Sequence, residues 1–141
     1  MDVMTPLWAA IDALVKWQKK NKGHTSGWCL KAVTAGLKVA GLSIPRCWKD
    51  FNGNLAINCG KRLVKDPGKW GWVFRGTSMR SLPTDRPSLV FFRDCGRLPD
   101  GRIAGHIAIY KPTTNRHIAN DSYDMSQWWL ERIAYVFVPQ T

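Results

Sequence analysis

Cys29, His106 and the adjacent pair Asn120 and Asp121 are the residues whose types and order along this sequence could carry out acyl transfer. Cys29 follows Ser26 by three residues and Gly27 by two. Ser26 is suited to cap a helix, which puts the thiol in the first turn, where unpaired N–H groups and the positive end of the dipole favour a thiolate. The competing reading is a small buried hydrophobe, which describes most unpaired cysteines. His106 lies in GRIAGHIAIY. As a strand, this run sends Ile103, Gly105, Ile107 and Ile109 to one side and Ala104, His106, Ala108 and Tyr110 to the other. Small neighbours on the His106 side would let a helix end come close enough for a Cys–His pair; a histidine on a strand can also be purely structural. An imidazole that takes a proton from sulfur works best when a third group fixes its tautomer and orientation. RHIAND supplies Asn120 and Asp121 about one strand length away, and either would serve, although both are also good turn formers.

The elements that must position these side chains follow from hydrophobic spacing. Thr5 and Pro6 suit an N-cap and a first helical position, and Leu7, Trp8, Ile11, Leu14 and Val15 form one apolar stripe, which predicts a helix to about Gln18. A polar loop spans 19–27, and a second helix begins near Gly27, buries Leu30, Val33, Leu37 and Ala40, and ends at Gly41. Residues 45–53 read as a turn, 54–64 as a short amphipathic helix, and 65–87 as loop with one strand. The period then changes to short runs rich in β-branched and aromatic residues at 89–93, 103–110, 116–121 and 133–138. Helices first and strands afterwards predict an α+β fold, with N-terminal helices packed on an antiparallel sheet.

Composition narrows the function classes. A chain of 141 residues with 45% hydrophobic content suits one domain, residues 1–141, with one core. Eight tryptophans argue against a disordered basic tail. The formal charge of +11 must attract some polyanion: nucleic acid, an anionic membrane surface or an anionic wall polymer. Basic residues are spread along the chain with one short block at Lys19, Lys20 and Lys22, and the aromatics do not interleave with them as in RNA- or DNA-reading motifs. No nucleic-acid partner is therefore expected. The first 15 residues carry Asp2 and no basic side chain, so the expectation is synthesis in the cytoplasm without a signal peptide, and no apolar run is long enough to span a bilayer. Cys29, Cys47, Cys59 and Cys95 lack metal-type spacing and read mostly as free thiols. His24 and His117 match no zinc pattern with Cys29 or Cys95, and no DxDxDG loop is present, so no metal or other cofactor is expected. Trp28, Trp72 and Asn120 are candidate substrate contacts. Trp70, Trp128 and Trp129 could line the same groove, though aromatic clusters also serve as core.

Taken in order, these segments resemble a known pattern. SGWCLKAVTAGLKVAG resembles the nucleophile helix of the NlpC/P60 and CHAP families of papain-like hydrolases. SLVFFRD and GHIAIY are similar to their paired strands, with the family histidine in the second, and HIANDS is similar to the strand that carries the third polar residue. The resemblance covers about residues 25–125. It implies a papain-like fold with Cys29 as nucleophile, His106 as base and Asp121, with Asn120 as substitute, as the orienting group. The implied activity is a peptidoglycan endopeptidase or N-acetylmuramoyl-L-alanine amidase that cuts amide bonds of the stem peptide. Size, charge and the expected absence of a signal peptide suit a phage lysin released through a holin, or an antibacterial effector delivered by a secretion machine and countered by a cognate immunity protein. The long segment KDPGKWGWVFRGTSMRSLPTDRP departs from the simplest family members. The readings weighed against this one are a basic nucleic-acid-binding protein with structural Cys and His, and a papain-like hydrolase of an amide outside the wall.

Overall fold

In a computed structural model that describes residues 6–22, 29–45 and 55–140, the chain forms a mixed α+β structure built on a six-stranded antiparallel sheet. Three helices precede most of the sheet: α1 (Pro6–Lys20), α2 (Cys29–Val39) and α3 (Ala56–Lys65). The strands are β1 (Trp72–Gly76), β2 (Ser88–Phe92), β3 (His106–Lys111), β4 (Arg116–Ile118), β5 (Ser122–Asp124) and, after the single-turn helix α4 (Gln127–Leu130), β6 (Ile133–Pro139). Their order across the sheet is β1-β6-β2-β3-β4-β5.

The helices form where their apolar spacing predicts. α1 buries Leu7, Ala10, Ile11 and Leu14, the stripe of a helix with one face in the core, and Lys19 and Lys20 in its last turn complement the dipole. α2 buries Ala32, Val33, Gly36 and Leu37. Gly36 sets how closely the two helices meet, since a Cβ there would stand 2.8 Å from Leu14 Cγ and 3.1 Å from the Ala10 carbonyl oxygen. Gly60 does the same for α3, where a Cβ would lie 2.9 Å from the Phe91 and Tyr135 rings. α2 lies against β3, and α3 against β2 and β3. One cluster of buried residues joins these helices to the sheet.

β2 occupies the middle of the sheet between β6 and β3, and all five of its residues are buried, which explains the continuous apolar run SLVFF. The strands differ from the sequence reading in two places. β3 begins only at His106, because Gly105 takes a left-handed φ of +74° and a Cβ there would meet the Phe92 carbonyl oxygen at 2.8 Å. The strand expected over 116–121 ends at Ile118. The chain reverses through Ala119, Asn120 and Asp121, closed by Ala119 N–H donating to the Asp121 carbonyl at 2.8 Å, and returns as β5. Asp121 reinforces that turn, its carboxylate accepting the Ser122 N–H at 2.8 Å. The segment 65–87 carries the one strand expected of it, β1, flanked by 3₁₀ turns at Pro67–Trp70 and Met79–Ser81. The turn expected at 45–53 and the Ser26 cap fall mostly or wholly outside the described residues.

Candidate active site

Cys29 opens the described part of α2, and the packing of α2 against β3 brings it near the start of that strand. Its half-buried thiol lies near enough to the backbone N–H of Ile107, the residue next to His106, for that N–H to favour the thiolate. Burial dominates the thiol's electrostatics and raises its pKa above the ordinary value; the N–H groups of Ile107, Leu30 and Cys29 itself pull the other way but are outweighed.

His106 is 7% exposed, and burial pushes its pKa down to about 4. Its Nε2 has no hydrogen-bond partner among the described residues. Register explains its surroundings. His106 pairs with Phe92 across β2, and Tyr110 pairs with His117 across β4, so alternation along β3 puts His106 and His117 on one face. The ring centroids of Phe92, His117, Tyr123 and Trp129 lie 5.8, 5.5, 5.4 and 5.0 Å from that of His106. This aromatic enclosure holds water off both histidines.

His117, weighed in the sequence only as a metal ligand, is the residue whose place beside His106 that reading missed. It is fully buried and stacked on Tyr123 at 5.0 Å, and neither ring nitrogen has a hydrogen-bond partner among the described residues. Burial first, then the nearby charges of His106 and Arg116, push its pKa down to about 3. A signal for it was present in the sequence. If the KPTTNR turn is centred between Thr113 and Thr114, the hairpin sets residue 117 opposite 110, on the His106 face. The same register continued would set Asp121 opposite His106, but the tight turn after Ile118 intervenes.

The remaining candidates divide. Asn120 is buried beside Tyr123, whose hydroxyl approaches its Oδ1 at 3.5 Å. Asp121 is exposed, with its carboxylate committed to the turn rather than brought to His106. Trp72 is a core residue that donates from Nε1 to the Ser43 carbonyl at 2.8 Å, and β6 and β2 separate its strand from β3. Full burial explains why it is not brought to the site. Trp129 borders His106, whereas Trp128 is 47% exposed with the Arg132 guanidinium 3.9 Å over its ring. Trp28, His24 and Cys47 lie outside the described residues. Cys95, on the loop before β3, is anchored by Gly105 N–H donating to its carbonyl at 3.0 Å. Its thiol is pushed up to about 11, by burial and then by the neighbouring Cys29 charge.

Chemically, the packing of α2 on β3 brings a thiol to the strand that opens with a buried imidazole, and both groups are neutral near pH 7. Comparison with known protein families, with curated proteins and with solved structures finds no match for this chain.

Proposed function

We propose that the chain is a papain-like cysteine hydrolase that cuts amide bonds of the peptidoglycan stem peptide, as an endopeptidase or an N-acetylmuramoyl-L-alanine amidase. The observation that carries this reading is the Cys29 thiol in the neighbourhood of the Ile107 N–H, beside a buried His106 whose Nε2 has no partner among the described residues. In the proposed cycle His106 takes the Cys29 proton as sulfur attacks the amide carbonyl. The backbone N–H of Cys29, at the start of α2, donates to the developing oxyanion. The imidazolium then protonates the departing amine, and water, activated by neutral His106, hydrolyses the thioester.

His117 is the better-supported positioning residue for His106, in preference to Asp121 or Asn120. Its ring meets that of His106 at 72° with no competing hydrogen bond, and catalytic hydrogen bonds often close only in the substrate complex. The wall substrate rests on the resemblance of the three segments, together with a charge of +11 that favours an anionic polymer. A phage lysin and a delivered antibacterial effector remain the two settings for this chemistry. Both act at the wall after synthesis in the cytoplasm, and a cognate immunity protein is expected in the second. Among the described residues no helix is long and apolar enough to cross a membrane.

The test is release of soluble muropeptides from purified sacculi, with mass-spectrometric identification of the new end groups. Wild type should release fragments, and Cys29→Ala should lower the rate by at least about 10³-fold while remaining folded. A folded wild type that releases nothing from several wall chemotypes would remove the peptidoglycan reading. Release unaffected by Cys29→Ala would remove the cysteine mechanism.

A further inference from the structure

Basic charge is distributed unevenly over the fold. Residues 6–45 carry six lysines, no arginine and one carboxylate, Asp12, whereas residues 46–141 hold all ten arginines and eight of the ten carboxylates. In that second part charges compensate one another locally: Arg86, Arg93, Arg102 and Arg116 each pair with an aspartate. On α1 and α2 they do not. Among the described residues no carboxylate forms an ion pair with Lys16, Lys19, Lys20 or Lys38.

Helical spacing gathers these lysines. α1 turns Leu7, Ala10, Ile11 and Leu14 inward, and at about 100° per residue Lys16, Lys19 and Lys20 fall on the opposite side. α2 buries Ala32, Val33, Gly36 and Leu37, which sets Lys31 and Lys38, two turns apart, on its outward side. All five lysines are exposed. The two helices pack on each other, Gly36 against Leu14 and Ala10, so both outward sides belong to one helical layer.

We propose that this layer holds an anionic phosphodiester polymer of the cell wall, whose flexible chain runs over the lysines and keeps the protein on its substrate. The lysine layer stands by itself, while the choice of a wall polymer rests on the hydrolase reading. The side chains present favour that occupant over other polyanions. Lysine ammonium groups are hydrated point charges on flexible stems, suited to a mobile chain of spaced charges; planar arginine forks, absent from this layer, suit a fixed phosphate or carboxylate. Single-stranded nucleic acid would need aromatic platforms for its bases, but Trp8 and Trp17 of α1 are packed against the core. An anionic bilayer would need a broad apolar face to enter, but among the described residues of the two helices the exposed large hydrophobic side chains are only Val15 and Val39.

The experiment measures co-sedimentation of the full chain, in the cold, with sacculi that carry poly(glycerol phosphate) and with the same sacculi after hydrofluoric acid has cleaved the phosphodiesters. Removal of the polymer should weaken retention about tenfold or more, and retention on intact sacculi should fall with added salt. Lys16→Gln, Lys19→Gln, Lys20→Gln and Lys38→Gln, combined and folded by circular dichroism, should weaken it by about tenfold or more. Lys65→Gln, Lys69→Gln, Arg75→Gln and Arg80→Gln remove the same net charge elsewhere on the surface and should weaken it by less than about threefold. Equal weakening by the two sets would overturn the proposal, as would retention indifferent to hydrofluoric acid. Tighter binding of a short DNA duplex or of phosphatidylglycerol vesicles through the same four lysines would reassign the layer to nucleic acid or to a membrane. Muropeptide release from the stripped sacculi should be unchanged in the set on α1 and α2. A wild type that releases nothing from either preparation removes the hydrolase reading, and the retention comparisons still decide this one.

Discussion

The start of β3 and the edge at β1 treat charge in opposite ways. Around Cys29, His106 and His117 the structure suppresses ionisation. Burial raises the thiol and lowers both imidazoles, and His106 Nε2 and both His117 nitrogens have no hydrogen-bond partner among the described residues. Around β1 the arginines Arg75 and Arg86 are exposed, and Arg86 pairs with the exposed Asp85 at 3.2 Å. Desolvation strengthens every electrostatic interaction that a reacting group would feel, and exposure preserves the long-range attraction that brings a partner in. One sheet thus keeps reactive polar groups in its interior and fixed charges at its rim.

The sharpest way to break this comparison is at His117. Removal of its nitrogens with the ring volume kept, as in His117→Phe, should lower kcat roughly 10²-fold with KM little changed. It should also shift the acid limb of the kcat/KM profile, a readout that a purely packing role would leave in place. Asp121→Asn should leave both near wild type, since that carboxylate serves the turn. The reverse ranking would return the positioning role to Asp121. In wild type the profile itself should be a bell, with an acid limb near pH 4 set by His106 and an alkaline limb set by Cys29, whose pKa is raised above its ordinary value.

Acid stability comes next in size. Both histidines are held neutral in the fold, with values near 4 and 3, against an unfolded value of about 6.5. Between those limits the unfolded chain binds more protons than the native one, so stability is complete above about pH 6.5 and falls as pH drops toward 4. The loss should be on the order of a few kcal/mol, read from thermal melts between pH 7 and pH 4. His106→Gln should flatten that dependence, and a melting temperature independent of pH over this range would contradict the burial of the pair. The smallest effect belongs to the other region: Arg75→Glu with Arg86→Glu should change muropeptide release by less than about twofold if the edge is separate from the reactive centre. A larger loss would join the two regions into one binding surface.

The sequence spoke clearly wherever a single element decides the outcome. The apolar stripes of α1 and α2, the buried run of β2 and the glycine at the end of α2 each follow from local periodicity or backbone freedom. The antiparallel sheet followed from strand-forming runs at short spacing. Reading 116–121 as one strand missed the reversal at Ala119–Asp121, because Asn120 and Asp121 suit a turn and a site equally well and propensity does not choose between them. Trp72 gave no sign of its burial, because alternation along an edge strand does not say which loop will cover it; the Ser43 carbonyl, far away in sequence, does so here.

From its own order of residues the chain determines where helices and strands begin, which faces are apolar, and that a cysteine and a histidine stand at element starts, since these depend on neighbours a few positions apart. Tertiary structure alone decides that His117 rather than Asp121 stands beside His106, that aromatic rings dry the pair, and that β1 lies at one end of the sheet. Each of these depends on a hairpin register or a strand order, in which a one-residue slip exchanges the two faces of the sheet.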